Sequence, residues 1–409
     1  MTKVLGLLLG LLTAIGGFID IGDLVVEAEV GSRFGLSLAW VVIVGLIGVC
    51  IFVQMSGRVT AVSKRATFEI IRERLGPRIG AANLGASFLI NLLTLSAEIG
   101  GIALSLQLAS SVSPFLWIPL AAFAIWLVIW RVKFSVLQNV VPLFGLALVG
   151  FGVAVFLLSP DWGALLRQVA QPRVSPDEHV STYWYFAVSL FGSAMTPYQV
   201  TFYSSAAVEE KWSAEQITRS RLNVLMGYPV GALISISIAA CAAIVLMPHH
   251  VNVSSLTQTV LPVAQVGGVL LLAVVLVGMV AATFGAALES TLASGYTIAQ
   301  FFGWSWGKFR KPREAARFHL TIIITLLIGI GVLMTGVDPV QVTEIAVVFS
   351  AIALPLTYLP ILVVANDPSY MGDRVNGRVL NGFAMVYLVI VLVASVAGVP
   401  LMIITGAGA

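Results

Sequence analysis

The chain has 409 residues; 59% are hydrophobic, only 10% are charged, and the formal net charge is +3. A soluble domain carries about 25% charged residues, so the composition excludes a water-soluble globular fold and leaves a polytopic membrane protein without a separate soluble domain. The small net charge gives no sign of a nucleic-acid partner. The two cysteines, Cys50 and Cys241, sit in apolar runs as small core residues, with neither disulfide nor metal-site spacing.

Apolar runs near or above the ~20 residues that a span needs fall at 4–30, 37–56, 80–110, 113–130, 135–158, 181–207, 222–247, 262–301, 318–336, 341–365 and 380–405. The start of the first run, Lys3 followed by Val4–Ala14, is similar to a signal peptide, but the run continues past any cleavage point and is expected to be retained. Within it lies Gly16-Gly17-Phe18-Ile19-Asp20-Ile21-Gly22-Asp23. An ionised carboxylate at membrane depth costs about 2.5–3.5 kcal/mol on insertion scales, and here two stand three residues apart. The glycines loosen the helix, and freed carbonyls are tolerated at that depth only where they line an enclosed cavity. Two acids and free carbonyls form an oxygen-rich, negative site for a cation.

Segment 57–79 mixes charges with Phe68, Ile70, Ile71 and Leu75 and is expected to hold a short surface helix. The sixth run is interrupted at Gly192-Ser193-Ala194-Met195-Thr196-Pro197-Tyr198-Gln199. Proline there removes a backbone hydrogen bond in mid-span. Paired interruptions in corresponding halves point to an inverted-repeat transporter with its site between the breaks. Met247-Pro248-His249 reads as a helix end, and Tyr296–Trp306 as an aromatic interface segment. Glu289 is a further acid in an apolar run.

With the N-terminus inside and eleven spans, 19 of the 22 Lys and Arg residues fall on inner connections, and only Arg33, Arg167 and Arg173 fall outside. That asymmetry fixes the expected orientation: N-terminus cytoplasmic, C-terminus outside.

At the two breaks the chain resembles the Nramp family of divalent metal transporters, which carries Asp-Pro-Gly-Asn in the first helix and Met-Pro-His in the sixth. Here the motifs read Asp20-Ile21-Gly22-Asp23 and Thr196-Pro197-Tyr198. Glu27, Gly31, Phe34 and Gly35 fit the family pattern that follows, as do Ala97-Glu98, Ser204, Leu354-Pro355, Asp367 and Met371-Gly372. Both family histidines are tyrosines, Tyr198 and Tyr203; a helix-three acid is Leu95, and a glutamine is Ala353.

The resemblance implies an all-α LeuT-type fold with two inverted five-helix repeats (1–158 and 181–366), broken first and sixth helices and an eleventh helix at 380–405, all in one transmembrane domain. It implies a metal site made by Asp20, Asp23, Thr196 and the carbonyls of Gly17 and Ser193, bordered by Tyr198, Gln199 and Ala353, with Glu98 and Glu289 as candidates for a proton relay. The departures lead toward hard cations. Methionine sulfur favours soft transition metals, whereas threonine oxygen is hard. An extra aspartate strengthens hard-cation binding, and a wider cavity suits Mg²⁺, which keeps several waters. The pattern is most similar to the prokaryotic Nramp-related magnesium transporters, which also carry Mn²⁺, and that resemblance implies a place in the plasma (inner) membrane of a prokaryote.

The expected function is therefore import of Mg²⁺ and Mn²⁺ without proton coupling, because tyrosine does not cycle protons near neutral pH. The metal is cargo; no cofactor and no obligate protein partner are expected. An ordinary proton-coupled Mn²⁺/Fe²⁺ importer and a carrier of a hard trivalent ion such as Al³⁺ remain as alternatives. An ion channel and an intramembrane aspartyl protease fit less well, since neither a re-entrant pore segment nor a second mid-helix aspartate is present.

Overall fold

Apolar runs of this length fold as helices because only a helix or a closed barrel satisfies every backbone group in lipid. The structure is a computed structural model that describes residues 19–132, 141, 143–176, 178–212 and 214–408, and within them every regular element is helical. In chain order these are α1 (Ile21–Phe34), α2 (Ala39–Ser63), α3 (Thr67–Ser110), α4 (Pro114–Arg131), α5 (Val149–Leu157), α6 (Trp162–Ala170), α7 (Val180–Ala194), α8 (Pro197–Glu209), α9 (Ala214–Val245), α10 (Leu256–Phe302), α11 (Ala316–Met334), α12 (Pro339–Ala365), α13 (Pro368–Met371) and α14 (Arg378–Ile404).

Eight of the described helices are long and apolar enough to cross a membrane; a ninth span is formed if the segment 143–157 is joined to α6 across a 115° bend. The remaining two of the eleven expected spans are the interrupted ones. Their described halves α1, α7 and α8 have 14, 15 and 13 residues, each too short to cross alone. The first half of the first span, Gly17 included, lies outside the described residues.

The surface helix expected in 57–79 is present as the opening turns of α3. It ends at Gly76, whose φ of +84° is closed to side-chain-bearing residues, and Pro77 then starts the spanning part. The segment 247–249 is a single 3-10 turn ending the seventh span, with His249 and His250 exposed, in keeping with a helix end. Cys50 and Cys241 are free and buried. Within the aromatic segment, Tyr296 is fully buried, stacked on Phe318 and edge-on to Trp306, and donates to Glu209 Oε1 at 2.5 Å, whereas Phe302 is exposed.

Two apolar cores organise the bundle. One joins α1, α2, α7, α9, α12 and α14; the other joins the spanning part of α3 to α4, α10 and α11. Glu98 lies on α3 between Ala97 of the first core and Ile99 of the second, so the interrupted spans face the seam between them. Two glycines permit the close approaches there. A Cβ on Gly31 would lie 2.1 Å from the Ala239 carbonyl oxygen of α9, and one on Gly192 would lie 2.1 Å from that of Val347 on α12.

Candidate metal site at the two interrupted spans

The start of α1 explains why two carboxylates can be buried side by side. A helix N-terminus leaves its first amides without partners, and the two aspartates serve them. Asp20 Oδ1 accepts from the Gly22 amide at 2.8 Å and the Asp23 amide at 3.3 Å, while Asp23 Oδ2 accepts from the Asp20 amide at 3.2 Å. This reciprocal capping box uses aspartate at the third position, where glutamate or glutamine is usual. The positive end of α1 favours both negative charges.

The second break supplies hydroxyls. Pro197 occupies the first turn of α8, where its missing N–H costs nothing, so the sixth span stops at Ala194 and restarts there. Ser193 Oγ donates to Asp23 Oδ1 at 3.0 Å, and Tyr198 Oη donates to Asp20 Oδ2 at 3.3 Å. Ser193 thus meets the aspartates through its hydroxyl, a contact that the expectation of a carbonyl ligand did not include. Thr196 stands at the cap position of α8 without capping it, and its Oγ1 is buried with no hydrogen-bond partner. The thioether of Met195 is directed elsewhere: a Cβ on Gly48 of α2 would lie 2.7 Å from its sulfur and 2.8 Å from the Tyr387 ring.

Asp20 and Asp23 are 4% and 2% exposed, and each accepts three hydrogen bonds. Among the described residues no Lys, Arg or His pairs with either. Buried charge without a counter-charge is costly, and a bound cation would offset that cost. No group of three or more His, Cys, Asp or Glu poised to hold a metal occurs among the described residues. The coordination shell would therefore be completed by hydroxyls, carbonyls or water.

Glu98 touches the site directly. Its Oε1 accepts from the Ile21 amide at 3.2 Å, and its buried Oε2 has no partner. Glu289 on α10 is half-buried within electrostatic reach of Asp20, Glu98 and Tyr198. Gln199 is buried beside Tyr198, and Ala353 is buried on α12, although the α12 residues against the breaks are Val347 and Ala351. Gly22 is not a point of unwinding: it lies inside α1, and a Cβ there would meet Val347 at 2.8 Å and Ser193 Oγ at 3.0 Å.

Two contributors escape a reading of the sequence, Ser235 and Tyr358. Ser235 of α9 donates to Asp23 Oδ1 at 3.3 Å, and Glu27, the acid of the motif that follows the first break, is buried one turn further along α1 near the same hydroxyl. Tyr358 of α12 donates to the Met195 carbonyl at 3.1 Å and thereby holds the end of α7. The only local signal for Ser235 is a polar residue in an apolar run, and Ser237 shares it. Ser204 joins Thr60 and Thr67 in a polar knot at 2.7–2.8 Å on the far side of α8.

Residues 10–400 match the Nramp family, described as natural resistance-associated macrophage protein-like. The chain is 22% identical over 388 residues to the divalent metal cation transporter MntH of Erwinia tasmaniensis, covering 92% of this chain and 89% of that protein. It is 25% identical over 391 residues to MntH of Deinococcus radiodurans, covering 92% and 85%. Among solved structures, a manganese transporter of Eremococcus coleocola superposes with TM-score 0.71 at 17% identity, over 95% of this chain and 84% of that one. The nucleobase-cation-symport-1 family transporter Mhp1, in a closed conformation, superposes with TM-score 0.62 at 17% identity, over 96% and 89%. Both likenesses concern the fold, which is LeuT-type. The family match runs through both interruptions and through Glu98, so the buried aspartates are read in a known frame: this chain belongs to the Nramp family, and it is a transporter, not an enzyme.

Proposed function

We propose that this protein is a secondary transporter of divalent metal cations that carries Mg²⁺, and Mn²⁺ as well, without moving protons. The carrying observation is the donor set. Two buried carboxylates, without a cationic partner among the described residues, are surrounded by the hydroxyls of Ser193, Ser235 and Tyr198, while the sulfur of Met195, next to the second break, packs against Gly48. Oxygen donors favour hard cations. The unpartnered Thr196 Oγ1 is available to the ion or to a water of its shell. The metal is cargo, and the protein needs no further cofactor. Its manganese- and metal-transporting relatives support the divalent class.

Uncoupled import would draw on the metal gradient and the membrane potential, worth about 4.6 kcal/mol for a divalent ion at 100 mV. The orientation proposed is N-terminus inside. A second reading, ordinary proton-coupled import, has one observation in its favour: Glu98 binds the Ile21 amide through one oxygen and leaves the other buried and free.

The test is flux into proteoliposomes with Mg²⁺, Mn²⁺, Ca²⁺ and Fe²⁺ compared while lumenal pH is recorded. The proposal expects Mg²⁺ uptake without matching acidification, and a shift toward Mn²⁺ in Thr196→Met. Metal-dependent acidification in step with uptake would establish the second reading. Absence of Mg²⁺ uptake, or an unchanged Mg²⁺:Mn²⁺ ratio in Thr196→Met, would defeat the assignment of the site.

A further inference from the structure

A second polar feature lies away from the aspartates, between α2, the α8–α9 connection and the start of α14. It is a cavity of about 540 Å³ bordered by Arg58, Trp212, Arg221, Val379, Leu380 and Phe383. Nε and Nη2 of Arg58 are closed to water and have no hydrogen-bond acceptor. Among the described residues no carboxylate borders the cavity and no ion pair joins either arginine to an acid; Glu210, just outside it, accepts from Trp212 Nε1 at 2.7 Å. Arg58 is half-buried, and two guanidinium nitrogens closed to water without an acceptor are a costly arrangement, so the cavity calls for an anion. Two arginines suit phosphate, which accepts their planar forks in pairs.

The far wall settles the kind of phosphate. Val379 and Phe383 are exposed apolar residues on the outward side of α14, continuous with the lipid-facing surface formed by Val386, Val389 and Val393. The cavity also sits at the charged end of the bundle. The Lys64 ammonium bonds to the Trp212 carbonyl at 2.6 Å, and Arg65 follows in sequence. Cationic groups beside an apolar, bilayer-facing wall match an amphiphile; a free phosphate would leave that wall unused.

We propose that this cavity holds the headgroup of an anionic phospholipid, with its phosphate between Arg58 and Arg221 and its chains along Val379 and Phe383. The bound lipid would tie α2 to α14 beside Tyr203 and Trp212, which pack edge-on at 5.2 Å with the Tyr203 ring against Gly57.

The experiment is native mass spectrometry of the full-length protein in neutral detergent, titrated with phosphatidylglycerol or phosphatidylcholine. Phosphatidylglycerol should be retained in preference, and Arg58→Gln and Arg221→Gln should each weaken its binding about fivefold. Arg221 is exposed, so its variant reports even if Arg58→Gln fails to fold. Equal retention of the two lipids, or unchanged phosphatidylglycerol affinity in Arg221→Gln, would overturn the proposal. So would displacement of phosphatidylglycerol by millimolar inorganic phosphate, which would make this a free-anion site.

Discussion

Gly192→Ala places a methyl group in the tightest contact of the sixth span. The new Cβ would lie 2.1 Å from the Val347 carbonyl oxygen, 3.0 Å from Ala351 Cβ and 3.1 Å from the Ala351 amide. An ordinary carbon–oxygen approach is about 3.3 Å, so α7 and α12 must part by about 1.2 Å. Backbone stands on both sides of the contact, and no rotamer change can absorb the displacement. Overpacking of this kind costs about 1–3 kcal/mol, and a backbone clash belongs at the upper end, roughly a hundredfold in native population. The same movement draws Ser193 away from Asp23, where its hydroxyl now stands at 3.0 Å. An added ångström exceeds hydrogen-bond range. The assay is the apparent melting temperature in detergent by fluorescence-detected size exclusion, together with metal uptake in proteoliposomes. Gly382→Ala on α14 is the control, since its Cβ would meet nothing within 4 Å. The expected result is a lowered melting temperature and lost uptake in Gly192→Ala, with the control close to wild type. A Gly192→Ala protein that melts and transports as wild type would refute the packing argument.

Asp20→Asn should abolish uptake while melting near wild type, because the amide oxygen can still cap α1 but no longer brings charge to the cation; Asp20→Ala should lose uptake and about 1 kcal/mol of helix capping as well. Retained transport in Asp20→Asn would remove Asp20 from the site. A cysteine at exposed Ser254 should label from outside intact cells, and one at Ser63 only after permeabilisation; the buried Cys50 and Cys241 add little background, and the reverse pattern would invert the orientation. Burial pushes the Lys308 ammonium, in the connection after α10, down to about 8 from its ordinary 10.5, with Glu209 opposing. The unfolded chain then binds more protons than the folded one between those values, so stability should rise with pH across that window. Melting at pH 7.5 and 9.5 should show that rise in wild type, and Lys308→Met should flatten it.

What the sequence determined was everything that depends on cost at membrane depth. Spans follow from the apolar length a bilayer demands, Asp20 and Asp23 stand out because charge is expensive there, and Pro197 marks the second break because it has no N–H. What the tertiary structure decided was direction. Ser235 and Ser237 are indistinguishable in the chain, yet one donates to Asp23 and the other bonds back to Leu233 of its own helix; the rotation of α9, packed against Gly31 on α1, makes that choice. Met195 and Thr196 are neighbours, and only the end geometry of α7 sends the sulfur to Gly48. Tyr296 and Phe302 belong to one aromatic run, yet the first is buried against protein and the second is exposed. The physical reason is common to these cases. Lipid chains and a protein core are equally apolar, so hydropathy tells a residue that it leaves water without telling it which of the two it will face.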